Sequence, residues 1–221
     1  MIAAQKLRAG GKYVPNKDYL NPVVFTKQFY EPAVDLLGPR IAGFIFEQEY
    51  QRSQDRIPAN EMARALTHFF GVIPREDRYH IELRTESYLS DPVFEVLEKQ
   101  GVGQVLSHWT WLSPLGKQFS MAGGRFFNSG RQNIIRLITP IGMRYEEAYA
   151  KAQPFDKMID GMLPPKMVEE TAKLIGAGIE KGIRVNVLIN NRAGGNAPII
   201  AQRVAEKFLE KQEKIEAGLH P

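Results

Sequence analysis

YHIELR, residues 79–84, alternates an imidazole, a carboxylate and a guanidinium with apolar side chains. As an extended strand it puts His80, Glu82 and Arg84 on one face and Ile81 and Leu83 on the other. IAGFIFE, residues 41–47, sets Phe44 and Phe46 against Gly43, Ile45 and Glu47. In NIIRLIT, residues 133–139, Arg136 shares a face with Ile134 and Ile138, and in RVNVLINN, residues 184–191, Asn190 shares one with Asn186 and Leu188. Buried charge is costly without a partner, so carboxylates and arginines gathered on one face must pair. Two readings stay open. In one, ion pairs fill the interior. In the other, Arg84 and Arg136 hold an anionic or polyol substrate, Asn190 orients it, and Glu47 or Glu82 acts as acid or base, which needs carboxyl pKa values pushed apart.

INNRAGGNAP, residues 189–198, raises a second question. Gly194 and Gly195 allow close backbone approach, Asn196 can cap the following helix and Pro198 suits its first turn. With Asn191 and Arg192 beside that helix start, the loop can hold an anion. It is equally an ordinary turn and cap, and neither GxxxxGK[ST] nor GxGxxG is present. His108 closes VGQVLSH and is read either as base or ligand, or as a polar residue satisfied locally. The four histidines (68, 80, 108 and 220) and the His80–Glu82 pair make no three-ligand zinc pattern, so no metal is assigned and any cofactor stays unknown. Trp109, Trp111, Phe126 and Phe127 lie among Arg125 and Arg131. They form either a stacking surface for bases or sugars, with Trp109, Arg125, Phe126 and Arg131 as nucleic-acid contacts, or an aromatic lid.

Periodicity places these residues on elements. Strands are expected over 41–47, 79–84, 102–108, 133–139 and 184–190, and helices over 26–37, 60–71 with Asn60 as cap, 90–100, 144–151, 165–181 and 197–214. Ser90 or Asp91 caps the third helix, Gly101 ends it, and Glu210 pairs with Lys214 on the last. Strand–helix alternation implies parallel strands with crossover helices. Residues 109–132 read as one long irregular loop. The chain has 221 residues, 43% hydrophobic, no cysteine and a formal charge of +4, with pI about 9.2. One domain, 1–221, is expected, with a basic loop-like start over 1–24 (Lys6, Arg8, Lys12 and Lys17 ahead of Asp18), a barrel-like body over 25–212 and a tail over 213–221. No apolar run approaches the about 20 residues of a membrane span, and the start lacks a signal-peptide core; a cytoplasmic protein without membrane contact is expected.

HIELRTESYLSDPVFEVLEKQGVGQVLSH, IIRLITPIGMRYEEAYAKAQPF and INNRAGGNAPIIAQRVAEKFL together, in this order, resemble the DUF72, or YecE-like, group over roughly residues 25–212. The resemblance implies a TIM-type (β/α)₈ barrel of which these five strands are the later part, the first about three being absent from this chain. An unclosed barrel leaves strand edges that favour a homo-oligomer. It also implies that functional groups gather at the carboxyl ends of the strands. There the parity reading brings Glu47, Glu82, Arg84, Arg136 and Asn190 together, and makes INNRAGGNAP the last strand-to-helix loop. The group has no settled activity, so whether the chain is an enzyme stays open. The expectation is an anionic small-molecule site, for a sugar or nucleotide derivative, with acid–base hydrolase or isomerase chemistry. The alternatives are a nucleic-acid-binding module using the basic aromatic loop, and a truncated barrel without independent activity.

Overall fold

The computed structural model describes residues 5–9, 12–216 and 218; His220 lies outside them. The start expected to be loop-like is instead an antiparallel hairpin, β1 (Lys6–Ala9) and β2 (Lys12–Pro15), followed by a helix that begins earlier than periodicity suggests. Asn21 starts that helix, its side-chain oxygen accepting from the amides of Val23 and Val24 at 3.1 and 3.2 Å. The helix runs as α1 (Pro22–Phe25), a wider π segment (Thr26–Tyr30) and α2 (Glu31–Leu37). The widening precedes Pro32, which brings no N–H for the Gln28 carbonyl and crowds it with its ring.

The following strands and helices alternate: β3 (Phe44–Glu47), α3 (Ala59–Val72), β4 (Tyr79–Glu82), α4 (Asp91–Gln100), β5 (Gly103–His108), α5 (Leu115–Met121), β6 (Gln132–Leu137), α6 (Tyr145–Ala152), α7 (Pro165–Glu180), β7 (Arg184–Ile189) and α8 (Ala197–Glu216). The fold is α/β, with five parallel strands in one sheet in the order β3-β4-β5-β6-β7. Three expectations need correction. Pro58, not Asn60, stands at the cap position of α3, so the Asn60 side chain lies within the first turn. Residues 109–132 hold α5, because Leu115 and Gln118 bury one face of a short amphipathic turn. Glu210 bonds Lys207 at 2.9 Å, one turn behind it, where the i,i+4 spacing predicts Lys214. Ser90 caps α4 by position without a side-chain bond, and Gly101 ends it in left-handed backbone.

The chain gathers into two compact units, with the boundary between Val105 and Leu106 inside β5; the first unit also takes in Arg125–Gln132. The first unit has an aromatic core. Phe46 on β3 meets Phe25 at 5.0 Å and Phe69, Phe70 and Tyr79 at 5.4 Å each, between ring centres. These rings join β3 and β4 to α1 and α3 through the apolar faces that alternation predicts, and edge-to-face contacts add to the burial of each ring. Ile81 shares their parity and is buried, and its register partner in β5 is Gln104. The second unit closes over Leu106, Leu115, Ile135, Leu137, Met167, Leu174, Ile200 and Val204, with Val185, Val187 and Ile189 packed against them. Ile134 and Arg136 on β6, and Asn186 and Leu188 on β7, therefore belong to the opposite face, and Leu188 is exposed.

Candidate functional site

Parallel register sets Glu47 opposite Glu82 at the carboxyl ends of β3 and β4. Arg84, two residues past Glu82 and on its parity, reaches both. Its Nη2 stands 2.8 Å from Glu47 and 2.6 Å from Glu82, and its Nε donates to Glu82 at 2.7 Å. The contact with Glu82 is thus two-pronged, the strong geometry for an arginine–carboxylate pair. The side chain of Glu82 is 0% exposed and that of Glu47 is 47% exposed. The carboxylates pair through one guanidinium, and only Glu47 meets solvent.

His80, on the same face as Glu82, is fully buried. Its Nδ1 lies 3.0 Å from the Arg78 carbonyl, and its buried Nε2 has no hydrogen-bond partner among the described residues. The carbonyl requires a proton on Nδ1, and burial of Nε2 away from any acceptor disfavours a second, so the ring is a neutral packing element. Burial pushes its pKa below the ordinary 6.5, against the raising effect of the Arg78 and Gln132 backbone carbonyls.

In the second unit His108 ends β5, buried, with Nδ1 2.9 Å from the Thr139 carbonyl. The same logic puts the proton on Nδ1 and leaves Nε2 as an acceptor. Burial again depresses the pKa, opposed by that hydrogen bond. The hydroxyls of Thr110 and Thr139 lie 2.9 Å apart, and the amides of Ile138 and Thr139 donate to the His108 carbonyl at 3.0 and 3.3 Å, tying the ends of β5 and β6 together.

Both histidines are depressed, so they are held neutral in the folded protein while the unfolded chain takes up protons near pH 6.5. Their contribution to stability is full above that pH and is lost as pH falls through it toward the folded values. Glu76 acts in the same direction lower on the scale, where its hydrogen bond to Arg78 holds the carboxyl below the ordinary 4.5. Urea denaturation should therefore show the midpoint constant between pH 8 and 7 and falling from about 6.5 downward. A midpoint flat to pH 5 would contradict the buried neutral state of both rings.

The loop after β7 closes on itself. The side chain of Asn190 accepts from the amide of Arg192 at 3.0 Å, that of Asn191 from Ala197 at 2.8 Å and that of Asn196 from Ile199 at 3.2 Å. The amides of Ala193, Gly194, Gly195 and Ile200 donate to the carbonyls of Asn190, Asn191, Asn191 and Asn196. Asn196 is thus the cap of α8. Gly195 has φ +110°, and a Cβ there would stand 2.3 Å from the Lys157 carbonyl. Gly194 is extended and buried. The amides expected to face an anion thus mostly bond within the loop. Arg192 in this loop is half-buried, and its guanidinium lies 3.8 Å from the Tyr145 ring centre. Its buried Nε has no hydrogen-bond partner among the described residues. Arg136 stands half-buried on the face opposite the apolar core.

Residues 25–221 match the family described as "Protein of unknown function DUF72". The chain belongs to the DUF72 family. A solved DUF72 family protein from Enterococcus faecalis V583 is similar at 13% identity and a TM-score of 0.56, over 87% of this chain and 68% of its own. A second, from Thermotoga maritima MSB8, shows 13% identity and a TM-score of 0.42, over 89% of this chain and 65% of its own. No curated protein matches. The likeness to the Enterococcus faecalis protein is one of fold.

The expected site residues divide between the units: Glu47, Glu82 and Arg84 belong to the first, where they contact one another, and His108, Arg136, Asn190, Asn191 and Arg192 to the second. The basic aromatic stretch is divided. Trp109 follows β5 in the second unit, while Arg125, Phe126 and Arg131 belong to the first. Asn128 anchors that segment to the carbonyls of Asp77 and Tyr79 at 2.8 and 3.1 Å, at the amino end of β4. Arg125 bonds Glu98 at 2.6 Å, Phe126 is half-buried, and Arg131 is exposed with φ +54°. Among the described residues no three His, Asp or Glu side chains converge to hold a metal ion, and no helix is long and apolar enough to cross a membrane. Sequence reasoning did not single out Tyr145. Its signal was present in RYEEAY, where an aromatic residue opens a helix facing an arginine-bearing loop.

Proposed function

We propose that this DUF72 protein binds a phosphorylated or otherwise anionic small molecule at the carboxyl ends of its strands in the second unit, with Arg192 holding the charge. The carrying observation is Arg192 laid on Tyr145 with Nε buried and no ion-pair partner among the described residues. A guanidinium fixed on an aromatic face keeps its fork of donors for a planar or tetrahedral anion. Arg84, by contrast, already serves Glu82 and Glu47, which favours the ion-pair reading for that cluster. Acid–base work, in a hydrolase or isomerase, falls in the second unit to His108, a neutral ring with Nε2 as acceptor.

A thermal melt at fixed ionic strength tests the reading. A phosphate ester at ten times its Kd should raise Tm by about 3–6 °C, where matched chloride does not. Arg192→Ala should abolish the shift with the starting Tm nearly unchanged. A sharp transition that no phosphate moves would defeat the proposal.

A further inference from the structure

We propose a second small-molecule site in the first unit: a cleft at the amino ends of β4 and β5 that takes a small oxo- or hydroxycarboxylate, its carboxylate on Arg75 and Lys99 and its neutral oxygen on the Tyr79 hydroxyl. The cleft has a volume of about 490 Å³, within the range of roughly 300–1,000 Å³ usual for small-ligand sites. Its walls come from the segments leading from α3 into β4 and from α4 into β5, all within the first unit. It lies at the opposite end of these strands from Glu47 and Glu82.

Tyr79 carries the inference. It begins β4, lines the cleft and is 3% exposed. Its ring packs on Phe44 and Phe46, at 5.6 and 5.4 Å between centres. Its hydroxyl is buried with no hydrogen-bond partner among the described residues. An unpaired buried hydroxyl is costly, and phenylalanine would fill the same space without that cost. Burial pushes the phenol pKa above its ordinary value; Tyr30 and Glu76 act in the same direction and Arg78 against them. The hydroxyl therefore keeps its proton and can donate. The acceptor that suits it is neutral, because the carboxylate of Glu76 also lines the cleft and would repel a second negative charge.

The charges along the walls place the other end of the ligand. Glu76 is held by Arg78 and Glu98 by Arg125, at 2.6 Å each. Arg75 and Lys99 are exposed and have no ion pair among the described residues. Against these two cations stands the exposed carboxylate of Asp77, so the unpaired charge of the walls is positive. The closing carbonyls of α4 are occupied, Leu97 by the Val102 amide at 2.9 Å and Glu98 by the Gly101 amide at 3.2 Å. Phe70 and Val102 add apolar surface between the polar groups. A short carbon chain with a carboxylate at one end and a ketone or hydroxyl toward the other matches this sequence of surfaces.

Calorimetric titration tests the proposal with levulinate, a keto acid, and with pentanoate, which has the same chain and carboxylate without the ketone. Both are titrated at fixed ionic strength into wild type, Tyr79→Phe and the double variant Arg75→Met with Lys99→Met. Levulinate should bind wild type about tenfold more tightly than pentanoate, the worth of one hydrogen bond to an otherwise unpaired buried donor. Tyr79→Phe should make the two acids equal and should hold or raise Tm, since the hydroxyl it removes has no partner in the fold. The double variant, changed only at exposed positions, should weaken both acids tenfold or more. Arg192→Ala, in the other unit, should leave all these affinities unchanged. A wild type that binds neither acid better than chloride marks a water-filled notch and overturns the proposal. So does a preference for levulinate that survives Tyr79→Phe, or binding indifferent to the double variant.

Discussion

Arg84→Met should destabilise the protein by about 3–5 kcal/mol, the cost typical of removing one partner from a buried ion pair. The expected size follows from where Glu82 sits. Its side chain is 0% exposed, and Arg84 meets it through both Nη2 and Nε. Methionine keeps much of the volume of arginine, so the change isolates the charge. The surviving carboxylate then faces a low-dielectric interior with two of its charge-assisted contacts gone. Glu82→Gln in the same chain removes the stranded charge, and the double variant should recover a large part of the loss. Urea denaturation of wild type, both single variants and the double closes the cycle. A loss under 1 kcal/mol for Arg84→Met would mean that the cluster is solvated like a surface pair, and Glu82 would return as a candidate acid or base.

Gly195→Ala should cost about 2–4 kcal/mol and weaken the phosphate response, although alanine touches no ligand. Two penalties combine. Alanine at φ +110° occupies backbone space that side-chain-bearing residues avoid, and its Cβ would stand 2.3 Å from the Lys157 carbonyl and 3.0 Å from Ile159. Backbone must shift to relieve such contact. That shift moves the turn whose asparagines orient Arg192. Gly194→Ala is the control. Gly194 has φ −175°, open to any residue, and its nearest neighbour is the flexible end of Met158 at 3.0 Å. Thermal melts of the two variants, with and without phosphate ester, should separate them clearly. Equal effects would show that the turn is not held by the Lys157 contact.

Much of this architecture was legible because it depends on local rules. Alternation in YHIELR and IAGFIFE correctly separated the ring-packing face from the charged face, since a strand turns each side chain opposite to the last. The five strands and the later helices follow from periodicity, and three fragments in a fixed order pointed to DUF72 before any contact was known. The misread segments are those in which short-range and long-range forces compete. Residues 5–20 lack a clear period because a four-residue hairpin strand is too short to show one. The stretch 109–132 looks like a loop because α5 has only seven residues, held by Gln118 bonding Ser107 and Ser113.

The candidate site divides in the same way. Residue types and spacing alone identified the chemistry present: two carboxylates, arginines at strand ends, a histidine closing β5 and an asparagine-rich turn. Which of these groups are already engaged was a tertiary matter. Arg84 is committed because parallel register puts Glu47 beside Glu82, and the loop amides are committed because Asn190, Asn191 and Asn196 fold back on them. Arg192 lies on an aromatic face because the chain brings Tyr145, 47 positions earlier, beneath its guanidinium. Periodicity determines the face on which a group stands, since that follows from backbone geometry over a few residues. A group's partner depends on contacts between residues far apart in the chain, and those exist only once the chain has packed.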